Sequence, residues 1–319
     1  IKNNYAHTDS ETGRKYLLFE NGVRSFFPDR LPKKVTFPMT QKDVNDQYAK
    51  LYDDQIVDII NGLNLPRYSM LDYIEEANTI KITKDEQKII DNLSRAGHRT
   101  RGFCRTNLFK RLESSGFSFL LSLERLVLRN YIVEYAASNN KEIPIGGNDT
   151  TVELDDNYSF EYGDSDFDST YILDQLFSGE VNKFRTRAKE LYDYINKNQY
   201  HRFQWLRPEL FNLKQLSEDL KMDNENLLKI VKKVPQWNAD RDRKLSALYE
   251  LINRKHKNDK VLIFTQYSDT ANYLYLQLKE KGIKHIEKAT GETKNISQIA
   301  KRFSPISNDY NGSAEDEIR

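Results

Sequence analysis

A run of basic side chains is the feature of this sequence that could most directly do chemistry. Six lysines and arginines and no acidic residue lie between positions 95 and 111. They are Arg95, Arg99, Arg101, Arg105, Lys110 and Arg111. Clustered cations attract the phosphates of a nucleic-acid backbone and release its counterions. The same side chains could instead form a solvated helix face or pair with acids such as Glu113 and Glu124. Composition alone does not decide between these interpretations.

An acidic segment balances the basic one. Nine aspartates and glutamates and no basic residue lie between Glu142 and Asp168, so the 319-residue chain has a net charge of only +1. Near-neutrality is thus the sum of a basic block and an acidic block. Bulk charge therefore predicts no partner, whereas the distribution of charge indicates one basic surface.

Motifs for direct catalysis or metal binding are absent from the sequence. The string Gly97–Gly102 is followed by Phe103 and Cys104, so it lacks the lysine and hydroxyl of a phosphate-binding loop. The five histidines have no two-ligand spacing on a helix face. The string 164–168 lacks the glycine and closing glutamate of a calcium loop. We therefore predict no metal site.

Composition excludes two further classes of protein. Cys104 is the only cysteine, which excludes intramolecular disulfides and favours a reducing compartment. No apolar run approaches the roughly 20 residues that a membrane-spanning helix needs. The chain begins at Ile1 without a methionine or signal peptide, so we expect it to be excised from a longer protein.

Helices are expected to position most of these residues. The string Thr83–Glu86 has the form of a capping box and would start a helix that ends near Ala96. Apolar periodicity and capping signals predict further helices over 41–62, 108–137, from 168 or 169 to 176, 180–196, 215–234, 240–254 and 270–281. The acidic segment 138–169 is predicted to be a solvated loop.

A strand–helix–strand unit of α/β type is predicted near the end of the sequence. Residues 260–265 form a short apolar run rich in β-formers, and residues 283–286 could form a second strand. A short strand is also predicted over 34–37. The expected fold class is mainly α with a small α/β part.

Four separated strings resemble superfamily two helicases of the Swi/Snf-type branch. Residues 244–252 followed by V-L-I-F-T-Q-Y-S-D-T at 261–270 are similar to motif IV, which opens the second RecA-like lobe. The strings 289–292 and 299–305 are similar to parts of that lobe. The string 109–115 resembles a K-R-L-E-S-S motif in the helical region of bacterial and archaeal members. Residues 31–40, with Tyr48 and Leu51, resemble the link after the first lobe.

The resemblance implies an organisation of the chain. Residues 1–66 would be the link between lobes, with a strand and a helix. Residues 67–239 would be a helical insertion domain with the acidic loop, and residues 240–319 the truncated start of the second lobe. The phosphate-binding loop of the first lobe and the arginine fingers of motif VI are expected to lie outside this chain.

The resemblance also implies a function. The parent protein would be an ATP-dependent DNA helicase or translocase of the prokaryotic cytoplasm that uses ATP and Mg²⁺. Phosphoryl transfer needs the phosphate cradle, the Mg²⁺ ligands and the arginines together. We therefore expect this chain alone to bind neither cofactor and to be inactive. Its expected partners are DNA, as duplex rather than single strand, and the remaining lobes of the parent.

Positions that match the family's motifs are predicted to contact the DNA backbone. Thr265 and Gln266 end the motif IV string, and Thr290 corresponds to a second backbone contact. The basic candidates for the DNA path are Arg99, Arg101, Arg105, Lys110 and Arg111, whereas Glu113 is expected to pair within its helix. An alternative function is a non-enzymatic helical module that binds a protein partner.

Overall fold

The chain divides into two units, Ile1–Phe37 and Pro38–Arg319. A computed structural model describes residues 5–19, 22–27, 31–40, 43–75, 81–147, 180–291 and 293–305, together with residues 308, 312, 317 and 318. The boundaries predicted at residues 66 and 239 both lie inside the second unit. The predicted helix that ends at residue 176 lies outside the described residues.

The first unit is an antiparallel sheet of three short strands. Strands β1 (His7–Thr8), β2 (Lys15–Leu18) and β3 (Arg24–Phe26) follow one another in the order β1-β2-β3. Gly13 and Gly22 have φ angles of +65° and +75°, the left-handed conformation that glycine adopts without steric cost in tight turns. The strand predicted over 34–37 is wrong, because the described residues 31–40 contain no strand.

The second unit is mainly helical with one small sheet, as the sequence predicts. Its described helices are α1 (Gln47–Leu51), α2 (Asp54–Asn61), α3 (Lys84–Ser114), α4 (Gly116–Ser138), α5 (Val181–Asn198), α6 (Leu213–Lys233), α7 (Arg243–Glu250), α8 (Ser268–Glu280) and α9 (Ile296–Phe303). A π-helical turn, Leu251–Lys255, continues α7. Among the described residues, no helix combines the length and apolarity that a bilayer crossing requires.

Helix α4 forms the centre of the helical unit. It packs against α3, α5 and α6. Phe119, Leu120, Leu123 and Val127, four residues of the predicted apolar stripe, are completely buried. Burial of large aliphatic and aromatic side chains is the main favourable contribution to folding, and here it places α4 in the core.

The capping box predicted at the start of α3 is present. The Thr83 hydroxyl accepts from the Glu86 N–H at 3.3 Å, and Glu86 Oε2 accepts from the Thr83 N–H at 2.8 Å. Glu86 Oε1 also accepts from Arg207 Nε at 2.6 Å. These donors lower the pKa of Glu86 to about 2, with the Arg207 bond as the largest cause.

Replacing Glu86 with glutamine should lower the free energy of unfolding by about 1–2 kcal/mol at pH 7, because Arg207 is partly exposed and solvent screens the pair. A depressed folded pKa stabilises the fold above the unfolded pKa, near 4.5, and the gain disappears as the pH falls through about 2. Urea unfolding of both proteins at pH 7 and near pH 2 measures the difference. An equal difference at both pH values would contradict this assignment.

Three predicted helix boundaries are wrong. Helix α3 runs through Gly97, because one interior glycine costs only about 1 kcal/mol relative to alanine and its neighbours outweigh it. The helix predicted over 108–137 is broken at Ser115. The helix predicted over 41–62 is split, and the Asp53 carboxylate starts the second piece by accepting from the Gln55 N–H at 2.9 Å.

The predictions of strands and loop in the second unit also need correction. Residues 260–265 and 283–286 are irregular, because no neighbouring strand lies among the described residues to complete a hydrogen-bonded ladder. Part of the predicted acidic loop forms strand β4 (Ile143–Gly147), which pairs antiparallel with β5 (Phe203–Leu206). The buried side chain of Ile143 accounts for this pairing. Residues 148–169 lie outside the described residues.

Candidate functional site

An ion triad joins the α3–α4 junction to the first turn of α8. Arg111 Nη1 donates to Asp269 Oδ2 at 2.9 Å, and Arg125 Nη1 donates to both oxygens of Asp269, at 3.1 and 2.9 Å. The side chains of Arg111 and Asp269 are only 9% and 11% exposed. The N–H groups in the first turn of α8 also favour a negative charge at this position.

Tyr267 extends this contact along α3. The Arg111 guanidinium lies 4.6 Å from the centre of the Tyr267 ring, a cation–π distance. The Tyr267 hydroxyl donates to Asn107 Oδ1 at 2.7 Å, one helical turn before Arg111. Tyr267, which precedes α8, therefore contacts two successive turns of α3.

A cluster of hydroxyl groups lies beside the ion triad. Thr270 Oγ1 is 2.9 Å from Ser114 Oγ and 2.8 Å from Ser118 Oγ. Ser114 Oγ is also 3.3 Å from Thr265 Oγ1. Ser118 and Thr270 are buried, so these bonds satisfy polar groups that solvent does not reach.

Lys244, on α7, contacts the C-terminal end of α3. Its Nζ donates to the backbone oxygens of Glu113 and Ser114, the latter at 2.8 Å, at the end of α3 where carbonyl groups lack helical partners. A cation at the C-terminal end of a helix also interacts favourably with the helix dipole. Burial lowers the pKa of Lys244, against the opposing effect of Asp242.

We call this set of contacts the docking interface. On the side of α3 and α4 it contains Asn107, Arg111, Ser114, Ser118 and Arg125, and on the other side Lys244, Thr265, Tyr267, Asp269 and Thr270. It joins residues that are more than 100 positions apart in the sequence. Its arrangement can fix one helix pair against another, and these residues place no nucleophile beside a general base.

The predicted basic residues of α3 occupy different environments. Arg101 Nη1 lies 3.3 Å from Asp72 Oδ2, and Arg105 Nη2 donates to the backbone oxygen of Leu63 at 2.6 Å. Lys110 is exposed. Arg111 is buried in the docking interface, so it is engaged with Asp269 rather than available to a phosphate. Arg99 lies on α3, and its side chain is outside the described part of the structure.

The three polar residues predicted to contact DNA from the second lobe, Thr265, Gln266 and Thr290, also occupy different environments. The Thr265 hydroxyl lies in the docking interface beside Ser114, whereas Gln266 is exposed. The N–H of Thr290 donates to Thr293 Oγ1 at 2.9 Å in a turn. Thr265 and Gln266 thus adjoin α3, and Thr290 belongs to a separate turn.

The sequence did not reveal the role of Asp269. The sequence predicts Ser268 or Asp269 as the cap of the helix over 270–281, but α8 begins at Ser268 and Asp269 binds Arg111 and Arg125 instead. Glu124, named as a possible arginine partner, is completely buried, and neither of its oxygens has a hydrogen-bond partner among the described residues. Asp269 lies inside the string 261–270, whereas Glu124 lies outside the motif strings and carried no signal beyond its charge.

The expectation that this chain alone binds neither ATP nor Mg²⁺ stays a prediction. Within the described ranges, no group of three or more His, Cys, Asp or Glu side chains is placed to hold a metal ion. A phosphate-binding loop is absent from the sequence. We therefore derive no chemical step through either cofactor.

Comparison of the chain with protein-family models, with curated proteins and with solved structures finds no match. The class of protein must therefore be inferred from the residues and contacts of this chain. Those contacts define a helical unit whose α3–α4 junction holds the segment 265–270.

Replacing Asp269 with asparagine should lower the free energy of unfolding by about 2 kcal/mol, because two largely enclosed guanidinium groups lose their counter-charge. Arg111→Gln should cost less, since Asp269 keeps Arg125 as a partner. Urea unfolding of both variants measures these changes. Asp240→Asn removes an exposed pair with Lys281 and is the control, expected to cost less than about 0.5 kcal/mol. Equal destabilisation at positions 240 and 269 would contradict the role of the triad.

Proposed function

We propose that this chain is part of an ATP-dependent DNA helicase or translocase. Its helical unit would brace the entry to the second RecA-like lobe, and the exposed side of α3 would contact the DNA backbone. One observation carries the proposal. Strings that resemble separate helicase motifs, and that are distant in sequence, bind one another in the fold.

The K-R-L-E-S-S string and the motif IV string form the two sides of the docking interface. Arg111 and Ser114 from the first string bind Asp269 and Thr270 from the second, at separations of 158 and 156 positions. An accidental likeness to two motifs would not be expected to place both in one buried polar contact. The contact therefore supports the interpretation that the two strings belong to one helicase or translocase.

The string that resembles the inter-lobe link joins the same region. Arg243 Nη1 donates to the Thr40 hydroxyl at 3.1 Å, and Arg243 Nη2 donates to Asp43 Oδ2 at 2.7 Å. The Gln47 side chain donates to the Asn238 backbone oxygen at 2.8 Å and accepts from the Asn238 N–H at 2.7 Å. The link is thus tied to the start of α7, which supports a bracing role.

The proposed DNA-contacting surface is the exposed side of α3 near the docking interface. Lys110 and Gln266 are exposed, and each adjoins in sequence one partner of the Arg111–Tyr267 contact. Arg101 is partly exposed and lies nine positions earlier on the same helix, half a turn around it from Lys110, so it is a second and separate candidate contact. Lysine, arginine and glutamine side chains donate to phosphate oxygens and position a duplex without reading its sequence.

The chain should bind duplex DNA with an affinity that falls steeply as the salt concentration rises. The double variant Arg101→Gln, Lys110→Gln should bind about tenfold more weakly, and its salt slope should fall by about one for each phosphate that is no longer neutralised. Fluorescence anisotropy with a labelled duplex at several salt concentrations measures both quantities.

The control is the double variant Lys189→Gln, Lys197→Gln, which removes two exposed lysines from α5. It carries a similar change of charge and should keep both the affinity and the salt slope closer to those of the parent chain. Equal weakening by both double variants would show that the affinity depends only on the net charge of the chain, and it would contradict a specific surface on α3. Absence of binding at low salt would overturn the DNA-contacting role and favour a helical protein-interaction module.

A further inference from the structure

One face of the sheet in the first unit carries a row of rings. The strand register places His7 opposite Tyr16 and Tyr16 opposite Phe26, so the row crosses all three strands. The ring centres are 5.7 Å apart for His7 and Tyr16, and 5.3 Å apart for Tyr16 and Phe26. Directly opposed residues point to the same side of a sheet, which accounts for the short distances.

Two arginines lie over these rings. The Arg24 guanidinium is 5.0 Å from the centre of the Tyr16 ring, and that of Arg14 is 5.3 Å from the centre of the Phe26 ring. Residues two apart along a strand share a face, so Arg14 lies with Tyr16 and Arg24 with Phe26. The face therefore combines flat aromatic surface with flat cationic surface.

Asp9 is an acid that contacts one of the two arginines, Arg24. Asp9 Oδ1 accepts from the N–H and the hydroxyl of Thr12, at 2.9 and 2.7 Å, which closes the turn after β1. Asp9 Oδ2 accepts from Arg24 Nη1 at 3.4 Å. The side chain of Asp9 is 13% exposed and that of Arg24 is 55% exposed, so the cation remains open to solvent.

The row itself is accessible. His7, Arg14 and Phe26 are exposed, and Tyr16 is partly exposed. Exposed rings on a short sheet expose apolar area to water, which is unfavourable unless a ligand covers it. A purely apolar partner would bury two guanidinium groups without a hydrogen-bond acceptor. A ligand with flat rings and negative charges would instead contact both the aromatic and the cationic parts of the face.

We propose that this face binds single-stranded nucleic acid. Unpaired bases would stack on His7 directly, and on Tyr16 and Phe26 as the Arg24 and Arg14 side chains move off these rings to donate to the adjacent phosphates. Base stacking on aromatic side chains is tolerant of sequence, and arginine adds cation–π and phosphate contacts. The site lies on a different part of the chain from the surface proposed on α3, and it does not depend on that surface.

Anisotropy titrations of the 319-residue chain with labelled oligo-dT and oligo-rU, each about 20 nucleotides long, test the proposal. The double variant Tyr16→Leu, Phe26→Leu keeps apolar bulk but removes two stacking rings, and it should bind at least about tenfold more weakly. Tyr5→Leu removes an exposed aromatic ring outside the row and should change nothing. The ratio of the two affinities identifies whether the strand is DNA or RNA.

A second variant guards against loss of the small sheet. The double variant Arg14→Lys, Arg24→Lys keeps the charge and removes the flat cation, so it should also weaken binding. An oligonucleotide containing 2-aminopurine should show a fluorescence change on binding to the parent chain that both double variants reduce. Unchanged affinity in both double variants, or no saturable single-strand binding at low salt, would overturn the proposal.

The α3 variant Arg101→Gln, Lys110→Gln separates the two proposals. It should bind duplex DNA more weakly and retain its affinity for the single strand. If duplex binding is absent while single-strand binding depends on Tyr16 and Phe26, the proposal for α3 fails and this one stands. If duplex binding depends on the α3 variant while single-strand binding does not depend on Tyr16 and Phe26, the proposal for the aromatic face fails and the proposal for α3 stands.

Discussion

Replacing Gly116 with alanine should lower the free energy of unfolding by about 3 kcal/mol. A Cβ atom at this position would lie 2.3 Å from Trp237 Cη2 and 2.5 Å from Trp237 Cζ3, far inside van der Waals contact. The indole cannot move away easily. Its N–H donates to the Tyr273 hydroxyl at 3.0 Å, and its ring packs edge-on against Tyr48 with centres 5.4 Å apart.

Glycine at position 116 therefore allows three parts of the chain to meet. Trp237 packs against both hydrophobic clusters of the second unit. The Gly116 N–H donates to the Tyr48 hydroxyl at 3.3 Å, which brings α1 to the start of α4. Because Ser114 and Ser118 flank this glycine in the docking interface, we expect the same substitution to weaken the contact between α4 and α8.

Gly102→Ala is the matched control, since Gly102 lies inside α3 and a Cβ there would meet no atom within 4 Å apart from its chain neighbours and the backbone of its own helix. Alanine is favoured over glycine in a helix interior, so this variant should gain about 0.5–1 kcal/mol. Urea unfolding followed by circular dichroism measures both changes. The double variant Gly116→Ala, Trp237→Leu should show a smaller effect of the alanine, relative to Trp237→Leu alone, than the parent chain does. Similar effects at positions 102 and 116 would exclude the steric explanation.

The largest pH effect is expected from Glu124. Burial in the centre of α4 raises the pKa of this carboxyl from an ordinary 4.5 to about 8. Neither of its oxygens has a hydrogen-bond partner among the described residues. The protonated form is therefore the one that the fold tolerates, because an unpaired buried carboxylate loses its hydration without compensation.

The sign of the effect follows from the raised pKa. A carboxyl with a folded pKa above its unfolded value stabilises the fold fully below the unfolded pKa, near 4.5, and this gain disappears as the pH rises through about 8. The difference is on the order of 5 kcal/mol. Glu124→Gln should remove this part of the pH dependence, and Glu124→Leu should be more stable than the parent chain above pH 8.

Urea unfolding at intervals between about pH 4 and pH 9 measures the effect as the difference between the parent chain and Glu124→Gln. Other titrating groups cancel in this difference. Glu218→Gln replaces an exposed carboxyl on α6 and should leave the pH profile of the parent chain unchanged. Parallel profiles for the parent chain and Glu124→Gln would show that Glu124 is solvated or paired.

Local signals predicted the helical elements and missed several of their ends. The capping box at Thr83 correctly starts α3, because both partners lie within one turn of each other. Gly97 carries a local helix-breaking signal that the long helix overrides. The break at Ser115 lies beside Gly116, which is packed by Trp237 from more than 100 positions away, and no local pattern reveals that contact.

The candidate site was predicted only in its outline. The strings 109–115 and 261–270 were both singled out, but their mutual contact was not. Arg111 was predicted to face DNA, whereas it binds Asp269 and lies over Tyr267. A basic stretch predicts positive charge, and the exposure of each cation depends on which acids the fold brings to it.

By itself, the amino-acid sequence determined the mainly helical class of this protein, the start of α3 and the strings that resemble helicase motifs. These features rest on spacings of a few residues, within which side chains interact whatever the rest of the chain does. The tertiary structure alone decided that Asp269 binds Arg111 and Arg125, that Gly116 receives Trp237 and that the Glu124 carboxyl is enclosed in the core. Each of these outcomes depends on the packing of distant segments, which determines the solvent, charge and space around a side chain.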